Sequence, residues 1–137
     1  LMDALALYRN RFEPSEALDK PYAIAAMGFF AADTDEEGEY LATSMQQQFL
    51  NLRRGTPGQL PKPVKDMNEV WNRVEKAGVD HAMRYAAIGG RDTVRKKLRE
   101  FAYMTSADEI MVTANIYDQT ARLKSFEIAA DALNALE

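Results

Sequence analysis

Apolar residues recur at helical spacing along much of the chain. Between Thr34 and Arg54 they form one stripe, made of Leu41, Met45, Phe49 and Leu52. That spacing is typical of an amphipathic helix. Thr34 and the glutamate three residues after it match a capping box, and acidic residues follow at the positive end of the helix dipole. We therefore predict a helix over 34–54.

Four further segments are predicted to form helices. The first covers Leu1–Phe12 and ends before Pro14. The region 66–84 is predicted to hold one or two short helices, interrupted near Gly78. A helix that follows Gly89-Gly90 has the inner stripe Val94, Leu98, Phe101 and Ala102. The last runs from about Gln119 to Leu136, with Asp118 as its N-cap and an inner face of Leu123, Phe126, Ala130 and Leu133.

Two segments, 22–32 and 109–115, are apolar without helical spacing. Strands that are covered on both faces in a parallel sheet have this pattern. A buried helix is the alternative for 22–32, and Gly28 with its two following phenylalanines favours the strand. Strands that alternate with helices indicate an α/β fold with parallel pairing. Two strands alone leave their edges open, so we expect a helix-rich fragment of a larger (β/α)8 barrel, with a loop over 55–66.

Composition narrows the classes of function. The chain has 137 residues, whereas a complete barrel takes about 250. The net charge is −4, so we expect no nucleic-acid partner, and no apolar run suits a membrane span. The lack of cysteine is compatible with a reducing compartment, and we expect a cytoplasmic protein. His81 is the single histidine, so no metal site is expected.

Several segments together resemble the C-terminal portion of the bacterial luciferase-like, flavin-dependent oxidoreductases, in the branch often called alkanal monooxygenases. They cover nearly the whole chain in the same order, and they are PS and LDKPY (14–22), FAADTDEE (30–37), LATSMQQ (41–47), LRRG and PGQLP (52–61), ADEIMV (107–112), and IYD, ARL and SFE (116–127).

The resemblance implies a (β/α)8 barrel that uses FMN or a related deazaflavin, with a small-molecule substrate and O2 as partners of the intact parent protein. Residues 22–32 would be the seventh strand and 109–115 the eighth, and loop 55–66 would lie near the active-site mouth. In this family most contacts to the flavin phosphate come from the N-terminal part of the barrel, which would precede this chain. We therefore expect the chain alone to bind no FMN. Two departures stand out: Gln119 where many relatives have histidine, and Gly38 where alanine is usual.

Active sites of such barrels lie at the carboxyl ends of the strands. These ends carry Gly28, Phe29 and Phe30 in one strand, and Thr113, Asn115, Tyr117 and Asp118 at the other. Of these we take Gly28, Phe29, Asn115, Tyr117 and Asp118 as candidates for cofactor or substrate binding. The plain alternative is that Asp118 only caps a helix and that Phe29 only packs in the core. No catalytic residue is predicted.

Two basic or glycine-rich features are further candidates. Arg53 and Arg54 reach an anionic ligand in one interpretation, and in the other they only complement the end of their helix. Gly89-Gly90-Arg91 is either an anion site at a helix N-terminus or a tight turn.

The expected function is that of an inactive C-terminal fragment of a luciferase-like FMN-dependent oxidoreductase. The alternative is a self-associating, non-catalytic interaction or scaffold module, because open strand edges promote association. In both cases we expect a homo-oligomer. A weaker third hypothesis is a phosphate-sugar or nucleotide binder that uses Gly89-Gly90.

Overall fold

A computed structural model describes residues 1–135 of the chain, and the predicted helix end at Leu136 lies outside them. The elements in chain order are α1 (Met2–Arg11), β1 (Ile24–Ala31), α2 (Asp35–Arg53), a 3-10 turn (Met67–Glu69), α3 (Arg73–Ala82), β2 (Ala87–Gly89), α4 (Arg91–Thr105), β3 (Glu109–Thr113) and α5 (Gln119–Asn134). The chain is therefore a mixed α/β fold with five helices and one sheet in the described part.

The sheet has three parallel strands in the order β2-β1-β3. Both predicted strands are present, but the prediction of only two was wrong. The missed strand β2 is three residues long, Ala87–Gly89, and it pairs only with the last part of β1, from Phe29 to Ala31. A segment so short and rich in small residues has no apolar alternation that marks a strand.

Two core clusters lie on opposite faces of the sheet, the smaller around Phe30 and Leu41 and the larger under α4 and α5. Alternate residues of β1 point into the larger cluster, because successive side chains of a strand face opposite sides. They meet the buried stripe of α4, which is confirmed at Val94, Leu98 and Phe101, and the inner residues of α5. Ser125 also joins α5 to β1, since its hydroxyl accepts the Ala31 N–H at 3.0 Å and donates to the Phe29 carbonyl at 3.3 Å.

The predicted inner face of α5 was wrong except at Leu133, which packs against the core. The structure buries the small residues Ser125, Ala129 and Ala132 together with Ile128, and it leaves Leu123 54% and Phe126 39% exposed. Small residues let this helix approach the sheet closely, and apolar residues on both sides made its stripe ambiguous. The exposed pair is an apolar surface that the rest of the described chain does not cover.

The long helix was predicted well. α2 begins after Thr34, whose hydroxyl accepts the Glu37 N–H at 3.2 Å, and it ends at Gly55, whose φ of +73° suits glycine. The predicted interruption at Gly78 was wrong, because α3 runs through this residue. The break lies earlier, where the 3-10 turn ends and Asn72 caps α3.

Candidate functional site

A groove of about 210 Å³ lies at the carboxyl ends of β1 and β3. We call it the mouth groove. Its floor includes Ala26, Gly28 and Thr113, and its walls come from α2 and from the end of α3 with the residues that follow it. The side chains of these walls are mainly apolar, and they are Phe30, Met45, Phe49, Ala82, Met83 and Ala86. The position agrees with the rule that ligands bind beyond the carboxyl ends of parallel strands.

Two polar side chains stand on the β3 side of the mouth groove. Thr113 donates weakly to the Met27 carbonyl at 3.4 Å. The Asn115 amide donates to the sulfur of Met45 at 3.6 Å. A thioether is a weak acceptor, so a ligand oxygen would exchange favourably for this sulfur. The groove therefore offers an apolar wall with one amide available for hydrogen bonding.

The predicted residues of β1 fall on opposite sides of the sheet. Gly28 lines the mouth groove. Phe29 does not, because it is fully buried in the core under α4 and α5. Its neighbour Phe30 lines the groove instead. The plain alternative for Phe29, packing in the core, is what the structure shows.

Of the predicted residues after β3, Asn115 lines the mouth groove, whereas Tyr117 and Asp118 do not. Tyr117 is half-exposed, and the Lys62 ammonium lies 5.9 Å from the centre of its ring, which is within cation–π range. Asp118 caps α5 by accepting the Ala121 N–H at 2.8 Å. Gln119, the first residue of α5, is exposed.

Arg53 and Arg54 bond to other parts of the chain. Arg53 donates to the Gly78 carbonyl at 2.9 Å. Arg54 donates two bonds to the Glu75 carboxylate, at 2.8 and 2.9 Å, and one to the Val70 carbonyl at 2.9 Å. Both guanidinium groups thus tie the end of α2 to α3 and the turn before it, and neither lines the mouth groove.

The glycine pair before α4 already has a protein carboxylate beside it. The Gly90 N–H donates to Asp35 Oδ1 at 2.6 Å. Gly89 has a φ of +136°, and a Cβ there would lie 2.5 Å from the same oxygen. This is the tight turn of the two interpretations, and Asp35 takes the place that an anion would need. The hydrogen bond from Gly90, followed by one from Thr93, holds the pKa of Asp35 below its ordinary value.

The pKa of Glu75 is also lowered, first by the Arg54 guanidinium and then by the Asn72 N–H. A carboxylate whose pKa is lower in the folded state than in the unfolded state stabilises the fold. The full stabilisation is present above the unfolded pKa of about 4, and it is lost as the pH falls through the lower pKa of the folded state. We expect the Tm to fall below about pH 4. In Asp35→Asn the fall is shallower, because that residue no longer titrates. Circular-dichroism melts between pH 7 and pH 3 measure both slopes, and equal slopes would contradict the role of Asp35.

Some residues that line the mouth groove were not predicted as candidates for the site. Met45 and Phe49 were predicted only as part of the apolar stripe of α2, because such stripes usually pack in the core. On the same helix, polar side chains hold loop 55–66. Gln47 donates to the Lys62 carbonyl at 2.8 Å, Gln48 to the Gly58 carbonyl at 3.1 Å, and Thr43 accepts the Val64 N–H at 2.9 Å.

Other site types find little support in the described chain. Among residues 1–135, no group of three or more His, Cys, Asp or Glu side chains could hold a metal ion. None of the described helices is both long and apolar enough to cross a bilayer. A wider depression of about 570 Å³ between α2, β2 and α3 has several charged side chains in its walls.

The mouth groove does not fit a whole FMN molecule. Its volume of about 210 Å³ is below the roughly 300–1,000 Å³ of most ligand pockets. None of its lining residues is a lysine or an arginine, and Asp35 occupies the nearby N-terminus of α4. The mouth groove therefore offers no cation for a phosphate, and its residues fit at most one wall of a larger flavin site.

The geometry thus defines the class of the protein as a parallel α/β fold with a groove at its strand ends. No family model matches the chain, but similar proteins narrow this class. The uncharacterized protein YvbT of Bacillus subtilis (strain 168) is 48% identical over 128 residues, which cover 93% of this chain and 38% of that protein. A luciferase-like monooxygenase of Escherichia coli (strain K12) is 46% identical over 136 residues, which cover 99% of this chain and 41% of that protein.

A solved structure agrees with these relatives. The crystal structure of apo-MsnO8 matches with a TM-score of 0.76 and 25% identity, over 97% of this chain and 41% of that chain. Together the comparisons support a luciferase-like family for this chain. The chain spans about two fifths of the length of the curated relatives it matches.

Proposed function

We propose that the chain is the C-terminal part of a luciferase-like (β/α)8 barrel. A partly uncovered face of the sheet supports this. α4 and α5 cover one face. On the other face Phe30 is buried at the end of β1, but Ile24 and Met111 are 53% and 54% exposed. In a closed barrel the helices lie outside and the opposite face is filled by side chains. The partly uncovered face would then be the barrel interior.

The unpartnered surfaces of the sheet and of α5 fit the same proposal. On the side of β1 opposite β3, pairing in the described chain covers only Phe29–Ala31, which leaves room for another barrel strand. The outward surface at Leu123 and Phe126 is where a neighbouring barrel helix would pack. The missing strand and helix of the barrel would cover these exposed apolar side chains.

The intact protein is then an FMN-dependent oxidoreductase that acts on a small-molecule substrate with O2. The observation that carries this proposal is the mouth groove, with the weakly bonded Asn115 amide on its wall. In flavin enzymes the cofactor supplies the redox chemistry, and the protein positions it and excludes water. This chain would contribute an apolar wall and two polar groups, from Thr113 and Asn115.

We expect the chain alone to be inactive and to bind no FMN. The physical reason is that none of the described residues that line the groove is a lysine or an arginine, which would hold the phosphate. Titration of FMN with the purified chain, followed by FMN fluorescence, is expected to show no saturable change at micromolar concentrations. Binding of one FMN per chain with micromolar affinity would overturn this expectation.

Self-association is the second candidate function, and the exposed Ile24, Met111, Leu123 and Phe126 favour it. Large exposed apolar surfaces mark interaction sites, and here one lies on the sheet and a second on the outer side of α5. Sedimentation velocity on the chain alone is expected to show a homo-oligomer. If the chain stays monomeric at all concentrations, the hypothesis of a self-associating scaffold module is excluded. The proposal that the chain is part of a barrel would not be affected.

A further inference from the structure

Charged side chains attach the two helical walls of the mouth groove, α2 and α3, to each other. Met45 and Phe49 belong to α2, whereas Ala82, Met83 and Tyr85 lie at the end of α3 and just beyond it. α3 packs mainly against α2 and not against the sheet. The position of the second wall therefore depends on what fixes α3 to α2.

Arg54 fixes the start of α3. Its planar guanidinium makes the bidentate pair with Glu75 and also bonds the Val70 carbonyl. The same carboxylate completes the capping box of α3, since it accepts the Asn72 N–H at 2.9 Å while Asn72 Oδ1 accepts the Glu75 N–H at 3.0 Å. Glu75 therefore takes part both in the cap that begins α3 and in the ion pair that attaches α3 to the end of α2.

Arg53 provides a second attachment along α3. It donates to the Gly78 carbonyl, and a Cβ on Gly78 would lie 2.5 Å from its guanidinium. Two attachment points on one helix fix its rotation as well as its place. The glycine, which the sequence marks as a weak point of the helix, is the point of closest approach.

We propose that Arg54 and Glu75 are positioning residues of the mouth groove, which they shape by holding α3 so that Met83 and Tyr85 wall it opposite Met45 and Phe49. The proposal depends on the proposed function only in treating the groove as a ligand site. The fork of Arg54 matters here, because a lysine would keep the charge but lose the paired geometry.

Amide hydrogen exchange of the whole chain tests this positioning. We expect Arg54→Lys and Glu75→Gln each to accelerate exchange over 73–82 at least tenfold, while amides of α4 and α5 stay within twofold of the original. Glu75→Gln preserves the capping box, since glutamine also serves at that position, so the helix still starts. Glu100→Gln, which removes a carboxylate that pairs with Lys97 on α4, is the matched control and is expected to change nothing in 73–82.

A ligand measurement separates this proposal from the proposed function. The probe is 1-naphthol, a neutral aromatic, and the readout is the methyl NMR signals of Met45 and Met83, with Met104, which does not line the groove, as internal control. We expect its Kd to rise at least fivefold in both variants and to stay unchanged in Glu100→Gln.

The positioning role of Arg54 and Glu75 and the role of the groove as a ligand site are contradicted by different results. Unchanged exchange over 73–82 in both variants, or exchange that rises equally in α4 and α5, would overturn the positioning role. Wild-type Met45 and Met83 signals that ignore 1-naphthol would count against the groove as a ligand site, while the exchange result would still decide the positioning role.

Discussion

Phe29→Ala is expected to lower the free energy of unfolding by about 3–5 kcal/mol. Phe29 is fully buried between the sheet and the inner faces of α4 and α5, close to Leu98, Phe101 and Ile128. Its removal leaves a cavity that the strand and two helices cannot close. A domain of this size has only about 5–15 kcal/mol of stability in total, so the variant should be close to unfolding.

Urea denaturation followed by circular dichroism measures this loss. The matched control is Phe126→Ala, which removes the same side chain from the exposed side of α5 and is expected to change stability by less than about 1 kcal/mol. A Phe29→Ala variant as stable as this control would contradict the packing described above, and would return Phe29 to the candidates for ligand binding.

Gly38→Ala is expected to destabilise the protein by about 2 kcal/mol, although alanine is the better helix former. In an exposed helix the change would gain about 1 kcal/mol. Here the new Cβ would lie 2.6 Å from the Gly89 Cα and 2.7 Å from its N and O atoms. Overpacking of this kind costs about 1–3 kcal/mol or more, and against backbone atoms we expect the upper end.

Gly89 cannot move aside easily, which is why the overlap decides the sign. It is the last residue of β2, and the Asp35 bond to Gly90, the residue before α4, holds the turn in place. Gly58→Ala is the control, because a Cβ there meets nothing within 4 Å. Thermal unfolding of both variants tests the argument, and a Gly38→Ala protein with a raised Tm would show that helix propensity prevails.

Local signals in the sequence predicted much of the fold. The stripe and caps of α2, the inner stripe of α4 and the two longer strands all follow from spacing and from end residues. What could not be predicted depends on tertiary contact. β2 exists because the end of β1 offers it a partner, and Gly38 is tolerated because the Gly89 backbone lies against it.

The candidate site was predictable in position but less so in its residues. The rule that sites lie at strand ends led to Gly28 and Asn115, which both line the mouth groove. It could not tell Phe29 from Phe30, because a one-residue difference in a strand changes the face. Arg53 and Arg54 were predicted from their charge alone, and their partners Glu75 and Gly78 lie more than twenty residues away.

FMN binding by a chimera tests the central claim most directly. The chimera keeps the part of the Escherichia coli relative that this chain does not match and replaces the matching part with residues 1–137. Fluorescence titration is expected to give one FMN per chimera, and none for the chain alone, because only the chimera would complete the barrel. Stoichiometric binding by the chain alone would contradict the account. So would a folded chimera that binds no FMN while the intact relative does.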